Sequence, residues 1–308
     1  MNDLVTLGMP KKQGVPSSGK SARRPPWLKV KVKHSKTYEE VESLLSGLSL
    51  NTVCQDARCP NIWECWGEHR TATFMILGDV CTRACRYCSV TSGKPPSLPD
   101  PDEPENVAEA VARMQLSHAV VTSVDRDDLE DFGSGHFVKT IEAIKRRMPD
   151  CAIEVLIPDF AGDKGSLAKV LRAGPDVLDH NIETVPRLYR SMRPKGDYER
   201  ALQIMRQTIE FRAEQGVKIT VKSGLMVGLG ESLDEVHAVM RDLRNAGCEV
   251  LTIGQYLNPT RKHAPIDRFY SPEEFEALGH YAEELGFAHC ESGPLVRSSY
   301  HAHEHVSR

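Results

Sequence analysis

No run of about 18 uncharged apolar residues occurs in the 308 residues of the chain, so no membrane span is expected. The first 26 residues also lack the apolar core of a secretory signal, because Pro10, Lys11, Lys12 and several glycines interrupt them. The expected location is therefore the cytoplasm. No segment repeats at a period of about 20–50 residues, and no long low-complexity tract is present, which argues against a solenoid or propeller. No glycine-rich loop ends in the Lys-Ser/Thr of a P-loop. No Ser-His-Asp order or other nucleophile–base arrangement points to hydrolysis. With 40% hydrophobic and 27% charged residues, the composition excludes collagen-like, wholly disordered and coiled-coil chains. At about 150 residues per domain, the length allows two domains or one large barrel.

Net charge is small but unevenly placed. Net charge is -4, yet residues 1–36 hold nine Lys/Arg against Asp3 alone, giving +8 and leaving -12 for the remainder. Residues 1–26 read as a solvated, disordered basic tail. A basic tail can also meet an anionic or acidic partner.

Cysteine is plentiful, and its distribution is informative. Six of the nine (Cys54, Cys59, Cys65, Cys81, Cys85, Cys88) fall within 35 residues, whereas Cys151, Cys248 and Cys290 sit among apolar neighbours and read as core residues. A disulfide framework suits short secreted chains, so metal binding is the better reading of the cluster. The spacings are C-x4-C-x5-C and C-x3-C-x2-C, three thiolates each. A closed structural zinc site needs four ligands. On a cubane iron-sulfur cluster, by contrast, three cysteines leave one iron open to another ligand or to chemistry.

Cys81-Thr82-Arg83-Ala84-Cys85-Arg86-Tyr87-Cys88 resembles the radical S-adenosylmethionine (SAM) signature, including the aromatic residue before the third cysteine. Cys54-x4-Cys59-Pro60-Asn61-x2-Glu64-Cys65-Trp66 and the ending Arg297-Ser298-Ser299-Tyr300-His301-Ala302 resemble motifs of the lipoyl synthase family. The likeness runs from about Trp27 to His303. It implies two [4Fe-4S] clusters, one on Cys81, Cys85 and Cys88 that binds SAM, and an auxiliary one on Cys54, Cys59, Cys65 and Ser299. It also makes Tyr87, Ser123, Asn181 and Glu183 candidate SAM contacts. Arg83 and Arg86 would offset the negative charge of the first cluster.

Short apolar runs alternate with amphipathic ones from Thr71 onward: 73–77, 118–124, 152–157, 177–182, 217–227 and 250–257. Strands apolar on both faces and separated by helices argue for a parallel α/β sheet. Ser232 with Glu235, and Ser271 with Glu274, form capping boxes, with Gly247 and Gly286 placed to end the two helices. Six strand–helix units fall short of the eight of a closed barrel. The resemblance implies an open, TIM-like partial (β/α)6 barrel over residues 71–286. Residues 27–70 would be an extension carrying the auxiliary motif, and residues 287–308 a tail returning to it with the serine ligand.

Residues that follow strands in such folds are site candidates. Thr122 to Asp128 reads either as a capped turn with solvated acids or as part of a cofactor site. Phe132 stands where the family usually has glycine. Gly224, Gly228 and Gly230 would allow close approach of backbone to SAM. Arg193, Gln255, Tyr256 and His263 are candidates for a substrate channel.

The family likeness further implies the substrate, an octanoyl chain on a lysine of a lipoyl carrier protein, into which sulfur enters at C6 and C8 at the expense of two SAM. Those carbons are unactivated, so a cofactor must do the hard step. The implied partners are that carrier, a low-potential donor of ferredoxin or flavodoxin type and an iron-sulfur cluster carrier, with no nucleic acid or membrane. Lys29, Lys31 and Lys33 could steer an acidic carrier. Two other readings stand beside this one. A biotin-synthase-like sulfur-inserting enzyme would share only the second triad. A zinc-stabilised nucleic-acid binder is disfavoured by the acidic body and the lack of aromatic–basic interleaving.

Overall fold

The computed structural model describes residues 24–30, 35–69, 71–300 and 302. The expected tail lies outside them up to residue 23, as do Lys31, Lys33 and His301. The extension begins with helix α1 (Lys36–Gly47), whose first turn is capped by the Ser35 hydroxyl accepting from Tyr38 N–H. A short strand β1 (Asn51–Thr52) and the small helices α2 (Val53–Asp56) and α3 (Ile62–Gly67) follow. Tyr38 on α1 stacks on Trp63 of α3 at 4.6 Å, and Trp66 is fully buried beside it. This aromatic wedge fixes α3, and hence Cys65, against α1.

The expected strands then appear with their helices. They are β2 (Thr73–Ile76), a ribbon of β3 (Val80–Cys81) and β4 (Thr91–Ser92), α4 (Glu103–Met114), β5 (His118–Ser123), α5 (Ser134–Arg147), β6 (Ala152–Leu156), α6 (Lys164–Ala173) and β7 (Val177–Asp179). The second half holds α7 (Pro186–Met192), α8 (Tyr198–Gln215), β8 (Thr220–Val227), α9 (Leu233–Asn245), β9 (Val250–Gln255), α10 (Pro272–Glu284) and β10 (His289–Gly293). The sheet order is β1-β2-β5-β6-β7-β8-β9-β10. All pairings from β2 to β10 are parallel, which requires the helical crossovers, whereas β1 adds antiparallel to β2. Both predicted capping boxes form, on α9 and α10. Leu233, on the first turn of α9, is 47% exposed.

One boundary differs from expectation. The segment from 287, read as a returning tail, starts as a seventh parallel strand, with His289 opposite Val250 and Gly293 opposite Gly254. Its sequence, His-Cys-Glu-Ser-Gly, has no apolar run and is half-buried throughout. Backbone ladder bonds place it, and side-chain patterning does not. Among the described residues β10 pairs with β9 alone, so the barrel is open.

Candidate active site

Cys81 ends β3, and Cys85 and Cys88 lie on the loop that leads to β4, beyond the C-terminal end of β2. The loop is pinned through its backbone. Arg86 N–H donates to Met192 O at 2.8 Å, Ala264 N–H donates to Arg86 O at 2.8 Å, and a His263 ring nitrogen bonds Cys88 O at 2.9 Å. Asp125 N–H points at the Cys81 sulfur at 3.4 Å. Burial pushes the Cys85 thiol up to about 11, against the pull of the Arg193 guanidinium, and pushes Cys88 up to about 12. Thiols held protonated in this way release protons when a cationic metal takes them as thiolates.

Arg83 acts as the expected counter-charge on Cys81, where its charge favours the thiolate, but its hydrogen bonds go to acids. Its side chain is 3% exposed and turned onto Asp125, Asp127 and Asp159, at 2.6 Å from the last. Burial opposes ionisation of Asp159, but the bonded Arg83 outweighs it and holds that carboxyl well below the usual range. Arg86 is exposed. The buried cation acting on Cys85 is Arg193, whose Nη1 donates to Asn181 O at 3.2 Å. The acids after β5 are thus ion-paired: Asp127 with Arg83 and Lys195, Asp128 with Arg126.

The candidate SAM contacts gather on the same side. Tyr87 bonds Cys85, and its phenol is raised by burial first and by Glu183 second. The buried Ser123 hydroxyl at the end of β5 has no partner. A buried unpaired hydroxyl costs free energy unless a ligand satisfies it. Asn181 and Glu183 follow β7. Glu183 is held with a positive φ of 68° by two backbone bonds to β8, its N–H to Gly224 O and its O from Met226 N–H. Strain of this kind, about 1–3 kcal/mol, gathers where a side chain must be aimed. A Cβ on Gly224 would lie 2.5 Å from Asn181 Oδ1, so this glycine makes room for the amide. Phe132 adopts the left-handed conformation, φ 54°, which glycine takes without steric cost, and Gly133 follows at φ 85°.

The auxiliary motif assembles from distant parts. Cys54 on α2, Cys59 on the following loop and Cys65 on α3 are close enough to raise one another's pKa, after burial, which for Cys54 reaches about 11. Thr73 of β2 bonds Cys54 and donates from its hydroxyl to Ser299 Oγ at 2.7 Å. The C-terminal segment is fastened by Asn61 Nδ2 to Leu295 O at 2.7 Å and by the Tyr300 hydroxyl to Glu64 at 3.1 Å. A Cβ on Gly254 would stand 2.2 Å from Val296 O, so only glycine lets the segment cross β9. Asn61, Thr73, Arg297 and Gly254 carry no motif signal that the sequence reading used, although Asn61 and Arg297 lie inside the quoted motifs.

Of the channel candidates, Arg193, Gln255 and Tyr256 line the cavity and His263 does not, and the polar groups of the last three are committed within the protein. Gln255 Nε2 donates to three carbonyls, those of Val227, Tyr256 and Arg268, and its Oε1 accepts from Tyr270 N–H. The Tyr256 hydroxyl donates to Ala264 O, and His263 is spent on Thr260 and Cys88 O. Gly228 and Gly230 face Gln255, Arg268 and Asp267, so of the three glycines only Gly224 reaches the site.

A single cavity of about 960 Å³ joins these parts. Cys54, Cys59 and Ser299 line it together with Cys81, Cys85 and Cys88, and so do Ser123, Asn181 and Glu183. Among the described residues no three His, Cys, Asp or Glu side chains converge on a single ion. The donor sets, buried thiols spread around open space, fit multi-iron clusters better than zinc. Residues 75–243 match the radical SAM superfamily, and residues 10–59 match the N-terminal domain of lipoyl synthase. The lipoyl synthase of Rubrobacter xylanophilus is 54% identical over 91% of this chain and 86% of its own. The chain belongs to the lipoyl synthase family. A lipoyl synthase of Chlorobium limicola is 50% identical over 92% of this chain and 96% of its own. Among solved structures, methylornithine synthase matches the fold with a TM-score of 0.53 at 13% identity, covering 84% of this chain and 82% of that one. Membership in the radical SAM superfamily implies one [4Fe-4S] cluster and SAM. No described helix is long and apolar enough to cross a membrane.

Proposed function

We propose that this lipoyl synthase family member inserts sulfur at C6 and C8 of an octanoyl group amide-linked to a lysine of a lipoyl carrier protein. In this reading Cys81, Cys85 and Cys88 hold the cluster that binds SAM, and Cys54, Cys59, Cys65 and Ser299 hold the auxiliary one. When bound, the first cluster with SAM supplies a 5′-deoxyadenosyl radical for hydrogen abstraction, and the second supplies the sulfur. The observation that carries the proposal is the shared cavity: Cys54, Cys59 and Ser299 open onto the same space as Cys81, Cys85 and Cys88. A carbon radical formed in that space must reach sulfur there before it is quenched.

The chain's own residues prepare that encounter. Tyr87, Ser123, Asn181 and Glu183 offer an uncommitted hydroxyl, an amide and a carboxylate to the amino acid and ribose parts of SAM. Arg193 places a buried positive charge beside the triad that must carry a thiolate-ligated cluster. Leu28 and Val30 lie over the cavity next to Lys29, so an apolar chain can enter while a cation meets an acidic carrier. The partners are that carrier, a low-potential electron donor of ferredoxin or flavodoxin type, and an iron-sulfur cluster carrier that rebuilds the auxiliary site. A biotin-synthase-like reaction would leave Cys54, Cys59, Cys65 and the Ser299 contact without use.

The test is mass spectrometry of an octanoylated carrier peptide after anaerobic incubation with the reconstituted protein, SAM and dithionite. Product carrying two added sulfurs is expected, and recovery of unmodified octanoyl peptide despite SAM cleavage would reject the proposal.

A further inference from the structure

Asn181 and Ser299 belong to different halves of the site, yet one side chain joins them. The Ser298 hydroxyl accepts from Asn181 Nδ2 at 2.8 Å and lies 3.1 Å from its Oδ1, to which it can donate. One hydroxyl thus reaches both ends of the amide and stops it from rotating. The amide nitrogen also bonds the Glu183 carboxylate, and the oxygen keeps a lone pair for a ligand in the cavity. Ser298 and Ser299 are also the two central residues of a turn closed by Tyr300 N–H donating to Arg297 O at 2.9 Å. Such a turn pivots as a unit. The turn is anchored on the far side by Thr73, which bonds both Ser299 and Cys54. A continuous set of contacts therefore runs from Asn181 through the Ser298–Ser299 turn to the auxiliary triad.

We propose that Ser298 is a positioning residue that couples SAM binding at Asn181 to the seating of Ser299 at the auxiliary site, each favouring the other. The proposal rests on the assignment of Asn181 and Ser299 made above. Its physical content is linkage. If the seated turn locks the Asn181 amide in its ligand-ready orientation, SAM binds the seated form more tightly, and by reciprocity bound SAM holds Ser299 in place. Ser298 itself touches neither cluster ligand set, so its removal leaves every thiolate intact.

The measurements are equilibrium binding of SAM to the anaerobically reconstituted full chain, and the rate of iron loss from the auxiliary site to a chelator with and without SAM. In the parent protein SAM should slow that loss. Ser298→Ala should weaken SAM binding by about tenfold and abolish the protection. Ser299→Ala should weaken SAM binding in the parent but add nothing in the Ser298→Ala background. The near-isosteric pair Ser298→Thr and Ser298→Val separates hydroxyl from volume and serves if the alanine variant misfolds: threonine should keep the coupling and valine should lose it. Unchanged SAM affinity and protection in Ser298→Ala, or equal behaviour of threonine and valine, would overturn the proposal. Failure of the unaltered protein to convert octanoyl peptide, with SAM protection intact, would instead count against the proposed reaction and leave the coupling standing.

Discussion

The two cysteine triads are built in opposite ways. Cys81, Cys85 and Cys88 sit on one loop of eight residues, presented by β2 and fixed by backbone bonds to Met192, Ala264 and His263. Cys54, Cys59 and Cys65 are spread over two short helices and the loop between them, outside the barrel, and Ser299, proposed as their fourth partner, lies 226 positions beyond the Thr73 that bonds it. The first is a local motif on a rigid scaffold. The second exists only after the barrel has closed far enough to return the C-terminus to the extension. A site made of remote, separately fastened parts is easier to open, which would suit the proposed role of a sulfur donor that is consumed and rebuilt. A site that initiates every turnover gains from permanence.

This contrast orders the expected effects of substitution. Cys85→Ala should abolish both SAM cleavage and sulfur insertion, read as loss of 5′-deoxyadenosine and of lipoyl product. Cys59→Ala should stop sulfur insertion alone and leave reductive SAM cleavage measurable; loss of both would erase the division of labour between the triads. Arg83 is buried among carboxylates, so Arg83→Ala should cost about 3 kcal/mol in chemical denaturation, since it removes the cation shared by Asp125, Asp127 and Asp159 and leaves Asp159 with Arg200 alone. If that variant denatures like the parent, the barrel triad does not draw its rigidity from this ion network. Gly254→Ala should act more mildly, pushing Val296 off β9, lowering auxiliary iron in an iron and sulfide assay while SAM cleavage persists. Equal loss of iron from both triads would show that the C-terminal segment supports the whole site and not one half.

Much of this was legible along the chain, for reasons that differ by element. The strands from 73 to 257 announce themselves because burial on both faces demands uninterrupted apolar residues, and α9 and α10 because capping chemistry is local in sequence. Strand β10 was missed because its half-buried polar residues are recruited by backbone pairing to β9, which leaves no pattern. Arg83 looked like a counter-charge because it lies between cysteines, and it is one for Cys81, but a guanidinium bonds to the carboxylates within reach, and three of them come from the loops after β5 and β6. Gln255 and His263 looked like channel residues because they follow β9, yet each is saturated by neighbouring polar groups.

The sequence alone determined the two thiol sets, their spacing and the parallel architecture, because ligand type, loop length and hydrophobic period are written in consecutive residues. Only the tertiary structure decided that members of both sets share one cavity, that Arg193 is a buried cation acting on Cys85 while Arg83 is bonded to three carboxylates, and that Ser298 joins Asn181 to the segment carrying Ser299. Those facts depend on which side chains meet across long stretches of sequence, and such meetings are set by how the strands stack and where the chain's end is carried back.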